Sequence, residues 1–177
     1  MFNINQFISD CRAAVQSDVT HKSVHALMQQ AFADPAGVLD AVGAPTAGGL
    51  TALYRSAQLT ILNVVWKPGV TLMPHNHQIW AVTGIYAGTE QNTLWRRIKA
   101  ADGRIEPAGS KTLLPGDVMP MGTDIIHSVS NPAAELCGAI HVYGGDYFAV
   151  ERSEWDAEAL TEHPCDMAKV LAFFSEK

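Results

Sequence analysis

Gly69-Val-Thr-Leu-Met-Pro-His75-Asn-His77 is the stretch on which the reading of this chain turns. Two histidines one residue apart on an extended segment project from the same face, because side chains alternate along a strand. Two neutral imidazoles on one face can bind one metal ion. Pro74 predicts an end to whatever precedes the pair, and an apolar, β-favouring run over 79–86 follows. A surface His-x-His with no ligand role is the alternative, and residues further along decide between the two.

Some fifty residues on comes a second cluster, Pro115-Gly116-Asp117-Val-Met-Pro120-Met-Gly122, followed by His127-Ser-Val-Ser-Asn131. Its Gly-Asp turn, proline and glycine predict a tight strand reversal that aims His127 inward. A lone histidine on an apolar strand is otherwise an ordinary core residue. A third segment, Ala139-Ile-His141-Val-Tyr143, puts His141 and Tyr143 on one strand face by the same period of two. Four of the seven histidines fall in these three segments, a concentration that surface solvation does not explain.

Around this centre the chain changes character once. Phe7, Ile8, Cys11 and Val15, then Val24, Leu27, Met28 and Phe32, recur at helical spacing, and Ser17, Asp18 and Thr20 between them can cap a second helix. Asp34-Pro35 ends that helix, and a short one over 38–42 follows. His21 and His25 lie four apart here, but no third ligand is near, and they read as an exposed pair. The Gly/Ala/Pro-rich segment 43–49 marks the switch to short strands over 50–55, 59–66, 79–86, 93–99, 105–112, 117–120, 125–130 and 136–143. Lys67-Pro-Gly, Ala87-Gly88, Ala101-Asp-Gly103, Pro115-Gly116-Asp117 and Asn131-Pro132 punctuate them. Many strands with short connections predict a β-sandwich or barrel. Helices over 155–160 and 167–174 are expected to close the chain. The economical organisation is one domain over 1–177: a helical segment 1–45, a β-barrel 46–152 and a helical segment 153–177.

Composition limits the partners. A hydrophobic content of 47% with 17% charged residues describes a folded globular chain. The net charge of -6 argues against nucleic acid and anionic membranes. No apolar run approaches the ~20 residues of a membrane helix. Asp10 and Arg12 break up the N-terminus before a signal peptide could form. Cys11, Cys137 and Cys165 are neither a disulfide framework nor a zinc ribbon, which fits a reducing cytoplasm.

Gly69-x5-His75-x-His77 resembles the first half of the first cupin motif. Gly116 through His127-x3-Asn131 resembles the second, with two extra residues between Gly122 and His127. The resemblance implies an all-β core, a double-stranded β-helix or jelly-roll barrel, with N-terminal helices and a C-terminal helix added. It also implies that His75, His77 and His127 are metal ligands projecting between two sheets. The glutamate that usually follows the second histidine is absent, since Trp80-Ala81-Val82 stands there and the first carboxylate after His77 is Glu90. Three neutral imidazoles leave the metal its full charge and open positions for an anionic ligand.

His141-Val-Tyr143 is similar to the His-x-Tyr pair of the thiol dioxygenases. The fuller pattern, with Trp80-Ala-Val, Asn92-Thr-Leu-Trp-Arg-Arg97 and His141-Val-Tyr-Gly-Gly145-Asp, resembles a bacterial branch of cysteine dioxygenase-like cupins. That resemblance implies Fe(II) as cofactor and oxidation of a small thiol by O2 to its sulfinic acid. Tyr143 and His141 would be catalytic. Arg55 would hold a substrate carboxylate, and Trp80 would border the pocket. The family serine before the pair is Ala139 here, and the cysteine that cross-links the tyrosine in animal enzymes would fall near Ala81 or Val82, so no thioether forms. Zinc or nickel in a hydrolase or isomerase, and a non-catalytic small-ligand-binding cupin, stay open beside this reading. Oligomeric state is also open, a homodimer among the options.

Overall fold

The computed structural model describes residues 1–99 and 102–175; Ala101 of the expected 101–103 turn lies outside them. Three helices come first: α1 (Ile4–Ser17), α2 (Lys22–Phe32) and α3 (Pro35–Val42). Asn3 caps α1 by accepting from the Gln6 amide, and Asp34 caps α3 from the Gly37 amide with Pro35 inside the first turn. Asp18 bridges α1 and α2, its carboxylate accepting from the amides and hydroxyls of Thr20 and Ser23. Of the apolar stripes predicted by helical spacing, Phe7 and Cys11 on α1 and Val24, Met28 and Phe32 on α2 are buried, while Ile8, Val15 and Leu27 are only half-buried; Ala14 is buried beside them.

Eleven strands follow among the described residues: β1 (Gly49–Arg55), β2 (Thr60–Trp66), β3 (Thr71–Asn76), β4 (Ala81–Ala87), β5 (Glu90–Arg97), β6 (Ile105–Leu113), β7 (Val118–Met121), β8 (Ile126–Ser130), β9 (Cys137–Tyr143), β10 (Ser153–Trp155) and β11 (Glu162–Pro164). They form two sheets of antiparallel pairs, ordered β1-β2-β9-β4-β7 and β11-β10-β3-β8-β5-β6. Chain neighbours are repeatedly split between the sheets, the strand order of a jelly roll. Neither sheet closes on itself, so the expected barrel is a pair of open sheets facing each other.

The two faces of the first sheet bury different things. Leu59, Ile61, Val82, Tyr86, Ile140 and Val142 pack outward against the helices. Leu62, Val64, Trp66, Ala81, Ile85, Ala139 and Tyr143 face the second sheet. Every residue of β9 is buried for this reason. Gly84 lets α2 lie directly on β4, since a Cβ there would sit 2.8 Å from the Phe32 ring. The last helix, α4 (Met167–Ser175), carries Val170 and Phe174 into the core between the sheets. The Phe174 ring lies 5.0 Å from that of Trp66.

Two sequence expectations fail locally. Residues 155–160 are not helical. Asp156 captures the amides of Glu158 and Ala159 with its carboxylate, and the chain returns as the hairpin β10–β11, with Ser153 opposite Pro164. Pro74 ends no element; it lies inside β3, where Leu72 pairs with Val129 and His75 with His127. Two residues, Met73 and Pro74, therefore oppose one, which is a β-bulge, where a missing N–H is tolerated. The bulge also lets Leu72 and His75, three residues apart, face the same side.

Candidate metal centre

The second sheet supplies three imidazoles. His75 stands on β3, His77 just beyond its end, and His127 on β8 directly opposite His75. All three are buried. Their Nε2 atoms converge: His75 and His77 are 3.1 Å apart, His77 and His127 3.3 Å. At the ~2.0–2.1 Å of a metal–imidazole bond, nitrogens on one octahedral face lie about 3.0 Å apart and tetrahedral ones about 3.3–3.4 Å. The spacing suits one transition-metal ion, and this is the one such group of three among the described residues.

The outer nitrogens set the tautomers. His75 Nδ1–H donates to the Met73 carbonyl at 3.0 Å, an oxygen that the bulge presents. His127 Nδ1–H donates to Asn92 Oδ1 at 2.8 Å. Both rings therefore turn a bare Nε2 inward. Burial pushes the His75 pKa down to about 4, and His77 and His127 well below their usual value, so the cluster is neutral near pH 7, as ligation requires. Among the described residues no carboxylate joins the three.

The facing sheet contributes His141 and Tyr143 from β9. The Tyr143 ring stands edge-on to His77, centroids 5.0 Å apart, and its hydroxyl lies 3.1 Å from His141 Nδ1. Thr83 Oγ1 approaches the same nitrogen at 3.3 Å. Burial raises the Tyr143 pKa well above its usual value and keeps the phenol neutral. The cavity among these groups is about 20 Å³, room for about one water. Leu72, Val129, Trp66, Phe174 and Tyr147 also line it. Ala81 is the register partner of Tyr143, so no thiol is there to cross-link it.

Two expected site residues are elsewhere. Arg55 sits at the end of the edge strand β1, past a bulge, with its side chain half exposed. Its guanidinium makes a two-pronged pair with Asp146 at 2.9 Å and lies over the Phe148 ring. Trp80 turns to the helical side, donating from Nε1 to the Val19 carbonyl and covering Gly144. The cation near the cluster is Arg152, which sequence reasoning missed. It is buried, stacks 4.2 Å over the Tyr147 ring and donates to the Tyr147 carbonyl, while its Nε has no partner. A lone arginine in a loop before a misread helix left no pattern to find it by.

No family model matches the chain. Among solved structures it is similar to a protein of Bacillus halodurans at 12% identity and a TM-score of 0.51, covering 61% of this chain and 77% of that one. It is also similar to a cupin family protein with a double-stranded β-helix fold from Methanocaldococcus jannaschii (13%, TM-score 0.48, 59% and 85%). A double-stranded β-helix protein of Klebsiella pneumoniae gives 14%, 0.46, 61% and 82%.

The fold is cupin-like. Its own strand order says so, with the imidazole cluster seated between the two sheets. At these identities the likeness concerns fold alone. Among the described residues no helix of this cupin-like chain is long and apolar enough to cross a membrane.

Proposed function

We propose that the protein is a non-haem iron(II)-dependent dioxygenase that oxidises a small thiol, of the cysteine or 3-mercaptopropionate type, to its sulfinic acid. One observation carries this reading: a three-imidazole cluster, joined by no carboxylate among the described residues, faces a His–Tyr pair across one small cavity. The overall conversion, RSH + O2 → RSO2H, needs no further reductant. Iron(II) held by His75, His77 and His127 would supply Lewis acidity toward the sulfur and one-electron chemistry toward O2. The chain does the rest. Tyr143 gives the substrate a hydrogen-bonding partner, and His141 holds the phenol in place. Trp66, Leu72, Val129 and Phe174 keep water out. Arg152, whose charge acts on His75 and His77 and whose Nε is unpartnered, is our candidate for the carboxylate contact first assigned to Arg55, although its side chain is not among those lining the cavity. Trp80 keeps a structural part only.

The test combines metal analysis after anaerobic purification with O2 uptake on cysteine, 3-mercaptopropionate and cysteamine. Iron, with one sulfinate formed per O2 and cysteamine the poorest substrate, is the expected result. Zinc or nickel with no O2 uptake would instead favour a hydrolase or isomerase, for which the 3.3 Å nitrogen spacing is equally suited. Metal-loaded protein inert toward every thiol would indicate a binding protein.

A further inference from the structure

One buried charge has no part in that reaction. Glu90 opens β5 and is 1% exposed. By strand alternation it points inward together with Asn92. Its Oε1 accepts from Asn92 Nδ2 at 2.8 Å, and its Oε2 accepts from Trp66 Nε1 of the facing sheet at 2.8 Å. His141 Nε2 lies 3.6 Å from the same Oε2 and has no other partner. Burial alone would raise the pKa of this carboxyl, but the donors around it, His141 foremost, outweigh that and hold it below the usual value.

A carboxylate only accepts, so its neighbours must donate. Asn92 has one oxygen and one NH2. With the NH2 turned to Glu90, the oxygen faces His127, and His127 must carry its proton on Nδ1. Flipping the amide would set its oxygen against the carboxylate. On the other branch, His141 Nε2 lies 3.6 Å from the carboxylate, longer than a hydrogen bond but with no other partner, so the carboxylate's charge favours the proton on that nitrogen. Its Nδ1 is then an acceptor with a single lone pair, and of the two hydroxyls that reach it the nearer, Tyr143 at 3.1 Å against Thr83 at 3.3 Å, donates. The Tyr143 oxygen is left with its lone pairs toward His77 and the cavity.

We propose that Glu90 is a positioning residue that sets two imidazole tautomers at once: through Asn92 it frees His127 Nε2 for a metal ion, and through His141 it turns the Tyr143 proton away from the cavity. The first branch rests on the metal reading above; the second does not. In consequence Tyr143 receives a hydrogen bond from the substrate, which selects a ligand with an S–H or N–H donor beside the metal position. Thr83 and Glu90 give His141 the polar contacts that Ala139 cannot.

The experiment is long-range 1H–15N correlation spectroscopy of histidine-labelled, metal-free protein, with a zinc titration beside it, for the wild type and Glu90→Gln. The wild type should show His127 protonated on Nδ1 and His141 on Nε2. A glutamine offers one oxygen where two are used. If that oxygen serves Trp66 and His141, its NH2 meets Asn92, the Asn92 amide flips and His127 changes tautomer. If it serves Asn92, its NH2 meets His141 and His141 changes tautomer. At least one of the two must therefore switch, with zinc affinity falling about 10–100-fold if it is His127. Both tautomers unchanged in Glu90→Gln, or His141 protonated on Nδ1 alone in the wild type, would overturn the proposal. The wild-type result decides it even if the variant does not fold. Failure of the wild type to bind zinc overturns the metal reading, while the His141 tautomer, read in metal-free protein, still tests Glu90.

Discussion

Single side chains divide here into those that meet the metal position and those that hold them there. Replacing His75, His77 or His127 with alanine should abolish stoichiometric metal binding, read by elemental analysis, while far-UV circular dichroism stays close to wild type. Tyr143→Phe removes one hydroxyl and keeps the ring against His77. It should retain iron and lower the sulfinate formed per O2 consumed; unchanged coupling would reduce Tyr143 to packing. The three clustered imidazoles were legible because local rules fix them: alternation within His-x-His and a turn that reverses the chain before His127. Glu90, Asn92 and Arg152 were not, because burial of a charge is decided by donors from distant strands, and no local spacing records that. Arg55 misled for the opposite reason, as a strand-end arginine whose true partner, Asp146, is ninety-one residues away.

At the level of elements, the bulge in β3 shows how an irregularity aims a ligand. Deleting Met73 would leave Leu72 and His75 two apart, in plain alternation. His75 would still face inward but would lose the carbonyl that fixes its Nδ1. Metal affinity should fall about 10–100-fold by competition titration, with little loss of fold. Loss of all binding would mean that the bulge positions His77 as well. The packing of α2 on β4 can be probed at Gly84. Gly84→Val should cost about 1–3 kcal/mol in urea denaturation through overpacking against Phe32, whereas Gly49→Val, with open space around it, should cost far less. Strand positions were readable from turn residues and alternating patterns, and most lie within a residue or two of expectation. The hairpin β10–β11 was not, since Ala157-Glu-Ala-Leu160 is a run of strong helix formers, and the capture of two amides by Asp156 turns the chain back.

The molecule as a whole is sensitive to acid through its centre. In the metal-free protein His75, His77 and His127 have folded pKa values below the ~6.5 of an unfolded chain. The unfolded state then binds more protons, so stability is intact above about pH 6.5 and declines as pH falls toward about 4, the His75 value. Melting temperatures between pH 7.5 and 4.5 should fall over this window, and less steeply with metal bound, since metal and protons compete for the same nitrogens. A flat profile would contradict the burial of the three rings. Strand β9 has its own consequence at this scale. Its inner residues, His141 and Tyr143, meet the cavity, while Ile140 and Val142, alternating with them, pack with the N-terminal helices. One backbone serves both, so a changed side chain at Met28 or Phe32 would shift the phenol without touching it. A laboratory evolution campaign for new thiol preferences should gather winning mutations on the helical outside of the first sheet, where no substrate ever goes.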